Sequence, residues 1–274
     1  MSRERDSSLV SSRLRTSSPV RVLTADDMYN RLPGQVEVTT DAVLIADDIR
    51  DLDERITRTE EWMCSQVLFT GICEIEDWDT GRHLSTFDYS PISETFVSVP
   101  WTDPSSKPLD DLKVCIRAVS SASNNIADVV VFGAEAASLF ENNESVQMAF
   151  DRRFIFQGEI RQEQREWGLM NLGTWRGLDL LVNETTYTAK DGSTQYFVPE
   201  DAVLVACSVN KGAMAYAGVA QGDPGTQQLE VYEGTRIPLV WLPDNEDVRK
   251  VRLSSRPCPI PPDPSNWTVI RTVK

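Results

Sequence analysis

Residues 41–71 read DAVLIADDIRDLDERITRTEEWMCSQVLFTG. Ile45, Ile49, Leu52, Ile56, Met63 and Val67 recur at spacings of four, three, four, seven and four, which puts them on one stripe of an α-helix. Asp41, Asp47, Asp48, Asp51, Asp53 and Glu54 crowd the first half and suit the positive end of the helix dipole. Gly71 supplies a C-cap. A helix from Asp41 to Phe69 is about 43 Å long at 1.5 Å per residue, and in a chain of this size it needs a partner along its length. A coiled-coil segment is the alternative, but the stripe covers only about four heptads and stops at Gly71.

Before this helix, residues 1–18 are rich in Ser and Arg and poor in apolar side chains, which predicts a mobile arm unless a partner orders it. Residues 19–40 alternate at Val20 and Val22, turn at Pro33-Gly34, and alternate again at Val36 and Val38. That pattern is an extended loop or hairpin.

After the helix, Ile72 to Trp78 and Thr95 to Val99 are strand-like runs separated by Asp79-Thr80-Gly81, and they are expected to pair as a hairpin. Leu109 to Ser121 carries Leu112, Ile116 and Val119 on one helical face. The apolar strand Asp128 to Phe132 follows, then helical segments Ala134 to Phe140 and Ser145 to Phe150, an α/β order. Strands come next at Leu178 to Val182, Thr185 to Ala189, Gln195 to Val198 and Ala202 to Cys207, with Asp191-Gly192 as a hairpin turn. Val209 to Gln228 is Gly- and Ala-rich and is expected to be an exposed loop. Arg249 to Leu253 and Trp267 to Val273 are short strands around the proline run 257–264, which blocks helix.

The 274 residues allow one or two domains, and 41% hydrophobic with 25% charged content is the profile of a folded protein. Lys and Arg number 27 against 42 Asp and Glu, for a net charge of −15, which argues against sequence-specific nucleic-acid binding. No apolar run is long enough to cross a membrane, and the N-terminus lacks a signal core. Cys64, Cys73, Cys115, Cys207 and Cys258 are scattered without a CxxC pair, so reduced thiols are expected, with neither a zinc site nor a disulfide framework. His83 is the single histidine and has no triad around it. There is no phosphate-binding glycine motif, and adjacent acids such as Glu60-Glu61 and Asp110-Asp111 are commonplace in so acidic a chain. Nothing here calls for catalysis, a metal or a cofactor.

Two stretches resemble the phage major capsid protein E family, typified by the lambda capsid protein. One is Arg58-Thr-Glu-Glu-Trp-Met-Cys-Ser-Gln-Val-Leu-Phe-Thr-Gly71, which contains the aromatic Trp62 and is preceded by Asp51-Leu52 and Ile56. The other runs through Gly177-Leu-Asp-Leu-Leu-Val182, Tyr187, Asp191-Gly192 and Tyr196-Phe-Val-Pro-Glu-Asp-Ala-Val-Leu204. Gly212, Tyr216-Ala-Gly218 and the stretch from Arg256-Pro257 to Pro261 extend the likeness, which spans residues 19–261.

The resemblance implies an α+β, Hong Kong 97-type capsid fold. Its parts would be an N-terminal arm (1–18), an extended loop (19–40), a peripheral domain with the spine helix (41–104), an axial domain (105–242) and a return to the peripheral domain (243–274). The implied function is a major capsid protein of a tailed double-stranded DNA phage. It would assemble with itself into pentamers and hexamers, meet a portal and scaffold or decoration proteins, and enclose DNA without reading its sequence. The virion is its expected place, after assembly in the host cytoplasm. The candidate assembly residues are Arg21 and Arg31 on the loop, Asp47, Asp48 and Asp51 at a neighbour's helix start, and Trp62. The rivals are an encapsulin-like compartment, an acidic α/β enzyme, and a tail or head-completion protein.

Overall fold

The computed structural model describes residues 19–23, 41–76, 83–151, 163–164, 169–189, 192–209, 211–222, 229–243 and 248–273. Helix α1 covers Asp41–Thr70, as its apolar stripe requires. It stops at Gly71, whose φ of +73° suits glycine and whose N–H donates to the Val67 carbonyl at 2.9 Å. A Cβ there would also meet the Ile92 side chain at 2.9 Å, so both backbone and packing select glycine.

The chain divides into two compact units. The first is Met1–Met63, Glu74–Thr86 and Met214–Ile260; the second is Cys64–Cys73, Phe87–Ala213 and Pro261–Lys274. The expected axial span 105–242 is thereby shared, 105–213 falling in the second unit and 214–242 in the first.

The second unit is built on a seven-stranded mixed sheet. Its elements are β4 (Ser93–Phe96), β5 (Val129–Phe132), β6 (Glu163–Gln164), β7 (Leu169–Trp175), β8 (Leu178–Asn183), β11 (Ala202–Ala206) and β18 (Trp267–Arg271), in the order β4-β18-β11-β5-β8-β7-β6. The central strands are apolar on both faces because both faces are covered. On one face Val130, Phe132, Leu180, Val203, Val205 and Ile270 pack against helices α2 (Pro108–Ser123) and α3 (Ala134–Asn142). Helix α2 turns Leu109, Leu112, Cys115 and Val119 inward, begins with Pro108 and closes on Asn124 in the left-handed region. Helix α4 (Glu144–Asp151) follows α3. On the other face Leu204, Val269 and Trp267 pack with Phe69 and Leu68 from the last turn of α1, and the Trp267 indole N–H donates to the Leu68 carbonyl at 3.0 Å.

The Pro199-Glu200-Asp201 corner locks this sheet to α3. The Glu200 carbonyl accepts from the Ala136 N–H at 2.8 Å, at the start of α3, and the Ala202 carbonyl accepts from Gly133 at 2.9 Å. A Cβ on Gly133 would stand 2.1 Å from the Pro199 oxygen, so this close approach admits only glycine.

The first unit stacks residues 41–63 of α1 on a three-stranded antiparallel sheet. Its strands are β1 (Val20–Leu23), β15 (Ile237–Trp241) and β16 (Arg249–Ser254), in the order β1-β16-β15. Leu52 and Ile56 are fully buried against Val251 and Leu253, with Ile45 and Ile49 at the margin. A ribbon of β13 (Val219–Gly222) and β14 (Leu229–Tyr232) belongs to this unit, and β12 (Ala213–Tyr216) pairs with β17 (Pro257–Ile260).

Two expectations are corrected. The strand β2 (Ile72–Glu76) pairs with β3 (His83–Asp88), while β4 runs parallel to β18, so residues 95–99 are not the hairpin partner. The expected loop at 209–228 contains β12 and β13. Where Val20 and Val22 alternate, residues 20–23 form a strand paired with β16. The arm 1–18 and residues 24–40 lie outside the described residues.

Candidate assembly surfaces

Strand periodicity assigns each residue of the β1-β16-β15 sheet to a face. Arg21, Val251 and Val240 stand in register, as do Val22, Lys250 and Trp241, and Val20, Arg252 and Leu239. Val251 is buried against α1, so its row faces the helix, and the rows containing Val20 and Val22 face away from it.

On the helix-facing side, Arg21 donates from Nε to Asp48 at 3.0 Å and from Nη1 to Asp51 at 2.9 Å. Three of the candidate residues are thus brought together, but within one chain, where a contact with a neighbour's helix was expected. Asp47 points outward and pairs with Arg50 at 3.6 Å. Trp62 is half-buried on α1. Arg31 lies outside the described residues.

The strongest polar cluster of this unit was not anticipated from the sequence. Arg236, just before β15, donates from Nε to Asp53 at 2.5 Å, and from Nη1 and Nη2 to the two Glu60 oxygens at 2.7 and 3.0 Å. It also reaches the Thr57 hydroxyl at 3.3 Å. Residues 53, 57 and 60 share a helix face at spacings of four and three, beside the Leu52–Ile56 stripe. The hydrogen bond to Glu60, opposed by burial, holds the guanidinium pKa above its usual value. Burial, and after it Glu60, raise the Tyr216 phenol beside it. The signal available in the sequence was the i, i+4, i+7 polar row, but its partner lies 176 residues away from Glu60.

The face turned away from α1 has a different character. Val20 and Val22 are 44% and 47% exposed, Leu239 and Trp241 are half-exposed, and the Arg252 guanidinium lies 5.6 Å from the Trp241 ring centroid. Lys250 stands directly across from Trp241. Arg252 makes no ion pair among the described residues, and its Nε is buried without a hydrogen-bond partner. Elsewhere in this unit, Leu229 and Val231 stand out from the β13-β14 ribbon, and in the second unit Phe96 is exposed on the edge strand β4. Among the described residues no cluster of His, Cys, Asp or Glu suits a metal ion, and no helix is long and apolar enough to cross a membrane.

The family model for phage major capsid protein E matches residues 1–271. The chain belongs to this family. No curated protein matches it. Among solved structures, it is similar to the proposed capsid protein of a prophage of E. coli CFT073, at 18% identity and a TM-score of 0.70, covering 95% of this chain and 77% of that one. It is also similar to a phage-related protein of Bordetella bronchiseptica RB50 (13% identity, TM-score 0.57, 94% and 75% covered). A third likeness is to the SrpI encapsulin complex of Synechococcus elongatus PCC 7942 (12%, 0.50, 95% and 74%). At these identities the structural likeness shows the fold. This phage major capsid protein has the Hong Kong 97-type fold, and it serves as a structural subunit that self-assembles into the shell of the virion.

Proposed function

We propose that this major capsid protein forms pentamers and hexamers that close an icosahedral head around double-stranded DNA. A portal would fill one vertex, and scaffold or decoration proteins would be its further partners. Assembly would take place in the host cytoplasm, before the finished particle leaves. In this reading the second unit is the axial domain, the first unit is the peripheral domain carrying most of the spine helix, and the subunit performs no catalysis.

The family match over residues 1–271 carries the reading. The net charge of −15 is compatible with it, because an acidic wall repels phosphate and leaves a packaged duplex mobile behind screening counterions. Heterologous contacts that close at five or six copies are how one chain builds both kinds of capsomer.

Electron microscopy of the purified protein tests it. Closed shells with five- and six-fold capsomers are expected. Rings alone would point to a head-completion or tail role, and a monomer or small oligomer at assembly concentrations would defeat the reading. The likeness to an encapsulin complex favours one alternative, a compartment for protein cargo. Particles purified from the native source that hold protein in place of DNA would establish it.

A further inference from the structure

Helices α2 and α3 share one face of the seven-stranded sheet, α2 over β18 and β11 and α3 over β8. Residues 83–151, which hold both helices, are described without a gap. Each helix turns an apolar stripe inward, and its opposite ridge follows from 3.6 residues per turn. On α2, Leu112, Cys115 and Val119 face the sheet, so Val114, Arg117 and Ser121 fall on the outer ridge with Ala118 beside them; all four are exposed, Val114 at 56%. On α3, Ala136, Ala137 and Phe140 face inward, while Glu135, Ser138 and Glu141 are exposed.

The charges on these two ridges are complementary and are not matched within the chain. A helical arginine finds its acid three or four residues away, but Arg117 has Lys113, Val114, Ser120 and Ser121 at those positions and makes no ion pair among the described residues. Glu135 and Glu141 make none among the described residues either, and from Ala118 to Asp151 the sequence holds no base to answer them. A phosphate-binding surface is densely cationic. A single arginine between an exposed valine and two small residues, on a face shared with unmatched acids, has the character of a protein contact. Another copy of the chain supplies the acids that Arg117 lacks. The nine residues of α3 extend only about 14 Å at 1.5 Å per residue, too short a ridge for the roughly 1,000 Å² that a stable pairwise complex needs. A contact this small holds where symmetry repeats it, as in a shell.

We propose that the α2 ridge of one copy packs on the α3 ridge of a neighbouring copy, Arg117 meeting Glu135 and Glu141 there and Val114 seating over the small Ser138 between them. The inference rests on the shell-forming reading above and names one of its contacts. Two different surfaces meet, so the contact is heterologous: each copy offers α2 to one neighbour and α3 to the next, which generates a ring.

Charge exchange tests it in the full chain, at exposed helical positions where substitution leaves the fold intact. Arg117→Glu should keep the far-ultraviolet circular dichroism of the wild type and lower shell yield at least about ten-fold, because like charges then face each other. Glu135→Gln with Glu141→Arg, the new cation standing in the last turn of α3 where it suits the helix dipole, should do the same by itself. A chain carrying all three changes should recover shells. Undiminished yield from either variant, or no recovery when they are combined, would overturn the contact and leave the capsid reading standing, whereas a wild type that forms no shells would defeat that reading itself. Normal shells from Arg117→Glu that retain less DNA would also overturn it, in favour of nucleic acid at this ridge.

Discussion

The Arg236 guanidinium meets two carboxylates from one helix, and their unequal exposure decides what its loss costs. Asp53 is 53% exposed at its side chain and can return to water, whereas Glu60 is 13% exposed and would be left as a largely buried charge. Exposed pairs contribute about 0–1 kcal/mol and breaking a buried one costs about 3–5, so Arg236→Ala should cost about 2 kcal/mol. The melting temperature should fall by roughly 4–8 °C. Arg236→Lys keeps the charge but loses the two-pronged grip on Glu60, and calorimetry should place it between the two. Cys115 gives a pH-dependent counterpart. Burial first, with Asp111 adding and a Thr95 hydrogen bond opposing, raises its thiol to about 11. A raised thiol pKa means that the folded state holds the proton longer than the unfolded chain does. The resulting stability is fully present below the ordinary thiol value and is lost as pH rises toward 11. Iodoacetamide at pH 8 should therefore modify half-buried Cys64 while sparing Cys115, and denaturant melts should lose stability between pH 9 and 11 less steeply in Cys115→Ser.

At the scale of elements, α1 was legible because its stripe is long and periodic, and a glycine closes it. Leu52→Asp would put an unpaired charge at a fully buried position and should cost at least about 4 kcal/mol, while Asp47→Ala on the opposite ridge should stay within about 0.5. Equal, small losses in urea melts of the two variants would show that the stripe does not face the core. Other elements were hidden for physical reasons. In β13, Val219 and Gln221 are buried while Ala220 is exposed, but a strand of Val, Ala, Gln and Gly carries too little hydrophobic contrast to show its period. The parallel partnership of β4 with β18 joins Ser93 to Thr268, and no local pattern announces a pairing across 175 residues. Arg21 illustrates the same limit at the candidate site. Its affinity for the acidic start of α1 was readable from charge, but whether it reaches its own helix or a neighbour's depends on β1 joining β16, which is settled by tertiary packing.

For the whole molecule, the charge balance sets how association responds to salt. Each copy carries −15, so bringing copies together is opposed by a repulsion whose range is about 30 Å at 0.01 M salt and about 8 Å at 0.15 M. Ion pairs between copies act the other way and weaken as salt rises. Their number is limited: Arg21 is already engaged with Asp48 and Asp51, Arg236 with Asp53 and Glu60, and Arg271 with Glu94 and Asp201, all inside one chain. The cations left to face a neighbour contribute about 0–1 kcal/mol each where exposed, against a repulsion that every acidic side chain within the screening range joins. Repulsion therefore dominates at low salt, and light scattering of purified subunits at neutral pH should show assembly rising from 0.01 M toward about 0.15 M salt, where the screening length becomes shorter than a single helix diameter. Divalent cations should achieve the same at lower concentration by screening more strongly. Assembly that is greatest at the lowest ionic strength and declines steadily with added salt would mean that the few intersubunit ion pairs outweigh net charge, and that the intrachain engagement of Arg21, Arg236 and Arg271 is given up when copies meet.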